Sequence, residues 1–160
     1  MPSTEPNPII IKKMKLGALI IAIVIFGASL TQPAYYTSAQ EPDGWANSLG
    51  LLLIGWVGAL GGHAGLAWLA NPAILTAWIS VFKNIKTSVI ASILAACFSA
   101  SFLVFSTVIT DENGTCSMIT DRKMGYWLWL TSIIFFAVSS IVIYIFEKSS
   151  NIKTNTTTNI

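Results

Sequence analysis

This sequence has little charge: 10% of its 160 residues are Asp, Glu, Lys or Arg, against roughly 25% in soluble domains. So few polar heads cannot clothe a globule in water. It has one histidine, His63, and two cysteines. Cys97 sits in an apolar stretch and Cys116 in a polar one, a spacing that supplies neither a disulfide framework nor a metal site. The net charge of +2, without a basic cluster interleaved with aromatics, gives no footing for nucleic acid. Paired carboxylates, a nucleophile elbow and a strand–turn–helix glycine loop are all missing. Quinone-linked disulfide-forming four-helix enzymes need cysteine pairs in their outer loops, where Cys116 stands alone. The expectation is a protein that is not an enzyme and carries no cofactor.

What the chain has instead is apolar length. Hydrophobic residues make up 54%, gathered into runs that polar segments separate. About 18 uncharged apolar residues match a hydrocarbon core roughly 30 Å thick. The runs Leu16 to Leu30 (extended by Thr31 to Tyr36), Ser48 to Phe82, Ser88 to Ile109 and Gly125 to Phe146 meet that length. They predict an all-α integral membrane protein with about four transmembrane helices. Residues 16–146 form a single bundle, 1–15 a short N-terminal segment and 147–160 an Asn/Thr-rich tail expected to be disordered. A cleaved signal competes with the first run, but no convincing small-x-small site follows it.

Ser48 to Phe82 holds about 35 residues with no ionisable group but His63. As one straight helix it would be about 50 Å long, too long for the core. A break is expected near Gly61-Gly62 or Asn71-Pro72, because paired glycines weaken a helix and proline removes a donor. Asn71 is expected to cap the following helix; the alternative turns its amide toward a cavity.

Lys12, Lys13, Lys15, Lys83, Lys86, Lys148 and Lys153 fall on one side of this scheme, and only Arg122 and Lys123 on the other. By the positive-inside rule the first side, with both termini, is cytoplasmic. The polar segments 37–47 and 110–123 then face outward, the second with a sequon at Asn113-Gly114-Thr115 to which no role is given.

Lipid tails are as apolar as leucine, so helices inside a bilayer associate by close packing of small residues and by hydrogen bonds. Gly58, Gly62 and Gly65 in the second segment are expected to meet Ala91 and Ala95 in the third. His63 is the candidate functional residue, since an ionisable group at membrane depth is a site hypothesis. The plainer reading is a packed or hydrogen-bonded structural histidine.

Pro33-Ala34-Tyr35-Tyr36-Thr37, Gly44-Trp45, Leu52-Leu53-Ile54-Gly55-Trp56-Val57-Gly58 and Trp68-Leu69-Ala70-Asn71-Pro72 carry a resemblance. Over residues 16–82 the chain resembles small multi-pass inner-membrane proteins of bacteria that share a proline-aromatic loop, a Gly-Trp-x-Gly segment and a Trp-x-Ala-Asn-Pro ending. The resemblance implies a bacterial inner-membrane location and no chemistry.

The functional expectation is a non-enzymatic protein that binds another membrane component besides the lipid bilayer itself: a membrane-protein partner, as immunity or exclusion proteins do, or its own copy in a homo-oligomer. The alternative is a channel or carrier for a small uncharged solute, with its constriction near His63.

Overall fold

The computed structural model describes residues 8–38, 47–61, 63–109 and 114–157. They are mostly helical: α1 (Pro8–Leu30), α2 (Ser48–Ile54), α3 (Trp56–Leu60), a 3₁₀ segment (His63–Leu69), α4 (Ala70–Ser80), α5 (Ile85–Ser101) and α6 (Met124–Thr157). One of these, over Met124–Ser149 of α6, is long and apolar enough by itself to cross a membrane.

The all-α expectation needs correcting, because three short strands join the helices. They are β1 (Tyr35–Thr37), β2 (Thr107–Ile109) and β3 (Cys116–Arg122), antiparallel in the order β1-β3-β2. Two strands of three residues fall below the length at which alternation can be read from sequence. Each forms only because β3 lies between them, with Tyr36 opposite Asp121 and Val108 opposite Ser117. Part of the outer segment read as polar loop is therefore a central strand.

Helix boundaries follow from local chemistry. α1 starts at Pro8, a residue pre-organised for a first helical position, so Lys12, Lys13 and Lys15 lie within the helix. It tightens at its end, Gln32 N–H donating to Ser29 O at 3.2 Å, and Pro33 cannot continue it. Asn84 caps α5 by accepting from Lys86 and Thr87 N–H at 3.1 and 3.3 Å. α5 stops at Ser101, short of the expected Ile109. The Arg122 guanidinium accounts for that stop: one nitrogen donates to the carbonyls of Phe102, Leu103 and Phe105 at 3.2, 3.2 and 2.8 Å. α6, by contrast, runs to Thr157, past the expected start of a disordered tail at Glu147. No Gly or Pro lies between Glu147 and Thr157 to stop it.

α1 and α6 run antiparallel along their lengths. Lys15 pairs with Glu147 at 2.6 Å, Ser132 Oγ donates to Ala22 O at 3.0 Å, and Gly125 N–H donates to Pro33 O at 3.0 Å. Ser88 Oγ ties α5 to α4 through Ala77 O at 2.9 Å, and Tyr126 OH ties α6 to α5 through Ser99 O at 3.1 Å. These directions place the sheet at one end of the bundle. The start of α1, the α4–α5 turn with Lys83 and Lys86, and Glu147-Lys148 share the other.

The interior is built from small and hydroxylated residues. Ala22, Ala70, Ala77, Ala95, Ser29, Ser88, Ser92, Ser99 and Ser132 are fully buried around a few large side chains, Ile74, Ile133 and Phe136. The exterior carries Ile20, Val24, Leu53, Leu60, Leu75, Ile79, Ile90, Leu94 and Val138, each about half exposed or more.

Candidate functional site

The long second segment breaks at Gly61 and His63, where helix gives way to the 3₁₀ stretch. Pro72 does not break it; it lies in the first turn of α4, where its missing N–H costs nothing. The cap of α4 is Leu69, without a side-chain bond, so the expectation that Asn71 caps this helix is corrected.

Asn71 faces a cavity instead. It is buried (6% exposed), and its Oδ1 accepts a hydrogen bond at 3.0 Å from the indole Nε1 of Trp129 on α6. A cavity of about 670 Å³ opens beside it, walled by the end of α1, by α2, α3 and the 3₁₀ segment, and by the start of α6. Its lining includes Ser29, Ser48, Leu51, Gly55, Gly58, Gly65, Trp68, Phe102, Tyr126 and Trp129, and among the described residues no charged side chain.

The lining polar groups are largely spoken for. Trp68 Nε1 donates to Leu52 O at 3.0 Å, Ser48 Oγ to Gln32 O at 2.7 Å and Ser29 Oγ to Phe26 O at 2.6 Å. Tyr126 and Trp129 donate to Ser99 O and Asn71 as above. Aromatic contacts hold one wall: Phe102 stacks on Tyr35 and Tyr126 with centroids 5.3 and 5.1 Å apart, and Tyr126 on Trp129 at 6.0 Å.

The sequence candidates scatter around this cavity. Gly58 and Gly65 line it, packed on each other across the break, and Gly62 lies outside the described residues. Ala91 and Ala95 are buried with Ala70, Ile74 and Ala77 of α4 and with Ile133 and Phe136 of α6. The 3₁₀ segment that carries Gly65 packs against α5, while Gly58 meets Gly65 and folds the second segment back on itself. His63 stands on the outer surface in the left-handed region, φ 53°, an uncommon place for a side chain with a β-carbon. It is neither packed nor hydrogen-bonded among the described residues and does not line the cavity, although Gly61 and Ala64 on either side do.

The residues that sequence reasoning passed over are Trp129, Trp68 and Arg122. Their signal was chemical: an indole N–H or a guanidinium in an apolar setting needs an acceptor. At the sheet, Asp121 accepts a hydrogen bond from Lys123, which raises the ammonium pKa from 10.5 against a smaller opposing effect of desolvation. The Lys123 ammonium also lies 4.6 Å from the Tyr36 ring centroid. Among the described residues no cluster of His, Cys, Asp and Glu has the makings of a metal site.

Comparison with known proteins returns no match to any family model, curated protein or solved structure.

Proposed function

We propose that this chain is a multi-pass membrane protein, of bacterial inner-membrane type, that acts without catalysis by binding another membrane component. It crosses the bilayer about four times, through α1, the broken segment from α2 to α4, α5 and α6, with both termini cytoplasmic and the sheet outside.

The observation that carries this reading is the inverted distribution of residues. In water, burial favours Leu, Ile, Val and Phe, and a large apolar exterior is penalised. Here serine and alanine fill the helix contacts while isoleucine, leucine and valine cover the outside. An apolar solvent favours that arrangement: small residues let backbones approach, and inter-helix hydrogen bonds such as Ser132 to Ala22 and Ser88 to Ala77 hold them. The lysines at the end remote from the sheet support the cytoplasmic assignment. Binding is favoured over chemistry because, among the described residues, the cavity offers hydroxyls and an amide but no charged group or thiol.

The two native cysteines test the topology. Both are exposed on the isolated chain, Cys97 on α5 and Cys116 on β3. In intact spheroplasts carrying the Cys97→Ala or Cys116→Ala variant, a membrane-impermeant maleimide should modify Cys116 and leave Cys97 untouched until detergent is added. Equal modification of both before detergent would overturn the reading.

A further inference from the structure

We propose that the cavity holds the carbonyl end of an uncharged acyl lipid drawn from the surrounding bilayer, with Asn71 Nδ2 donating to the carbonyl oxygen. The inference rests on the membrane reading above and names what the site takes. The volume of about 670 Å³ falls within the range of roughly 300–1,000 Å³ typical of small-molecule sites.

The chemistry of the occupant follows from the donors. Among the described residues no charged side chain lines the cavity, so an ionised headgroup would find no counter-charge there to offset its desolvation. An indole N–H can only donate, so Trp129 fixes Oδ1 of Asn71 toward itself and turns the NH₂ group away. That NH₂ has no partner among the described residues, on a side chain more than nine-tenths buried. The donors of Ser29, Ser48, Trp68, Tyr126 and Trp129 are already used, so the vacancy at the Asn71 amide is for an acceptor. An ester carbonyl is such an acceptor. Glycine and leucine walls from α2 and α3 suit the alkyl chain beside it. Those same short helices expose Leu53 and Leu60 away from the cavity, so the cavity wall borders lipid.

The test uses the full chain in phosphatidylcholine vesicles doped with a diacylglycerol that carries a diazirine on its acyl chain close to the ester. After illumination, label is expected in residues 51–71 and 126–130 as well as on the outward faces. Unlabelled diacylglycerol should compete for the cavity label, and hexadecane, which lacks the carbonyl, should not. Asn71→Leu should lower the cavity label about five- to tenfold, as loss of one hydrogen bond in a dry site would, leaving outward label unchanged. If that variant does not fold, Trp129→Phe, which frees the amide to rotate, should lower the same label by a smaller factor. Label confined to the outward faces, or displaced equally by hexadecane, would overturn the proposal while leaving the membrane reading intact. Complete absence of label would overturn the membrane reading itself.

Discussion

Gly65 lies so close to Gly58 that a β-carbon on Gly65 would fall on the Gly58 carbonyl. The second segment can fold back on itself only because Gly65 has no side chain there. The relationship is asymmetric: a β-carbon on Gly58 would meet nothing nearer than Gly65 Cα at 3.9 Å, an ordinary contact. Gly65→Ala should therefore destabilise the chain by about 1–3 kcal/mol through overpacking, and Gly58→Ala should change stability by less than about 0.5 kcal/mol. Thermal unfolding of the two variants in mild detergent measures the difference; equal shifts would count against the contact.

Arg122 ends α5 from a distance of about twenty residues along the chain, its guanidinium bonded to three carbonyls and set 5.7 Å from the Phe102 ring centroid. Arg122→Met leaves those carbonyls without their partner and should cost about 2–3 kcal/mol, the scale of hydrogen bonds to a charged group. A lysine ammonium can donate from one nitrogen but has no flat guanidinium to lay over the Phe102 ring, so Arg122→Lys should recover part of the loss. Amide exchange at residues 102–109 should rise in both.

Two buried serines on α6 should behave oppositely. Ser132 donates to Ala22 across the α1–α6 contact, and its replacement by alanine should cost about 0.6 kcal/mol, the average for such bonds in membrane proteins. Ser140 Oγ is buried with no partner, so Ser140→Ala removes an unsatisfied hydroxyl and should be neutral or stabilising. Unfolding of each variant in one detergent decides the sign.

At the far end of the same helix pair, Lys15 and Glu147 meet at 2.6 Å with side chains only 11% and 25% exposed. A double-mutant cycle with Lys15→Met and Glu147→Leu should return a favourable coupling of about 1 kcal/mol. Partial burial shields the pair from screening, so the coupling should change little between low and high salt. A coupling near zero would mean that α1 and α6 are held by packing and the Ser132 bond alone.

The helices were legible because they depend on composition and length. Four apolar runs read from sequence correspond to α1, the α2–α4 segment, α5 and α6, and a break in the second was expected near Gly61-Gly62. The strands were not legible: β1 and β2 have three residues each and exist only through β3. The cavity was half visible. Asn71 drew notice, but capping is a local interaction and easily imagined from sequence, whereas acceptance from an indole 58 residues away is not. His63 drew notice for its ionisable ring, yet the break that it occupies turns it outward.

By itself, then, the sequence determined where apolar helix begins and charge collects, because hydropathy and backbone sterics act over a few neighbouring residues. Tertiary structure alone decided that Gly58 meets Gly65 instead of the alanines of α5, that Arg122 stops α5, and that Trp129 bonds Asn71 in the wall of a cavity. Each of those outcomes joins residues that are distant or oppositely directed in the chain. Only a close approach of backbones or an unmet hydrogen bond selects them, and neither leaves a period in the sequence.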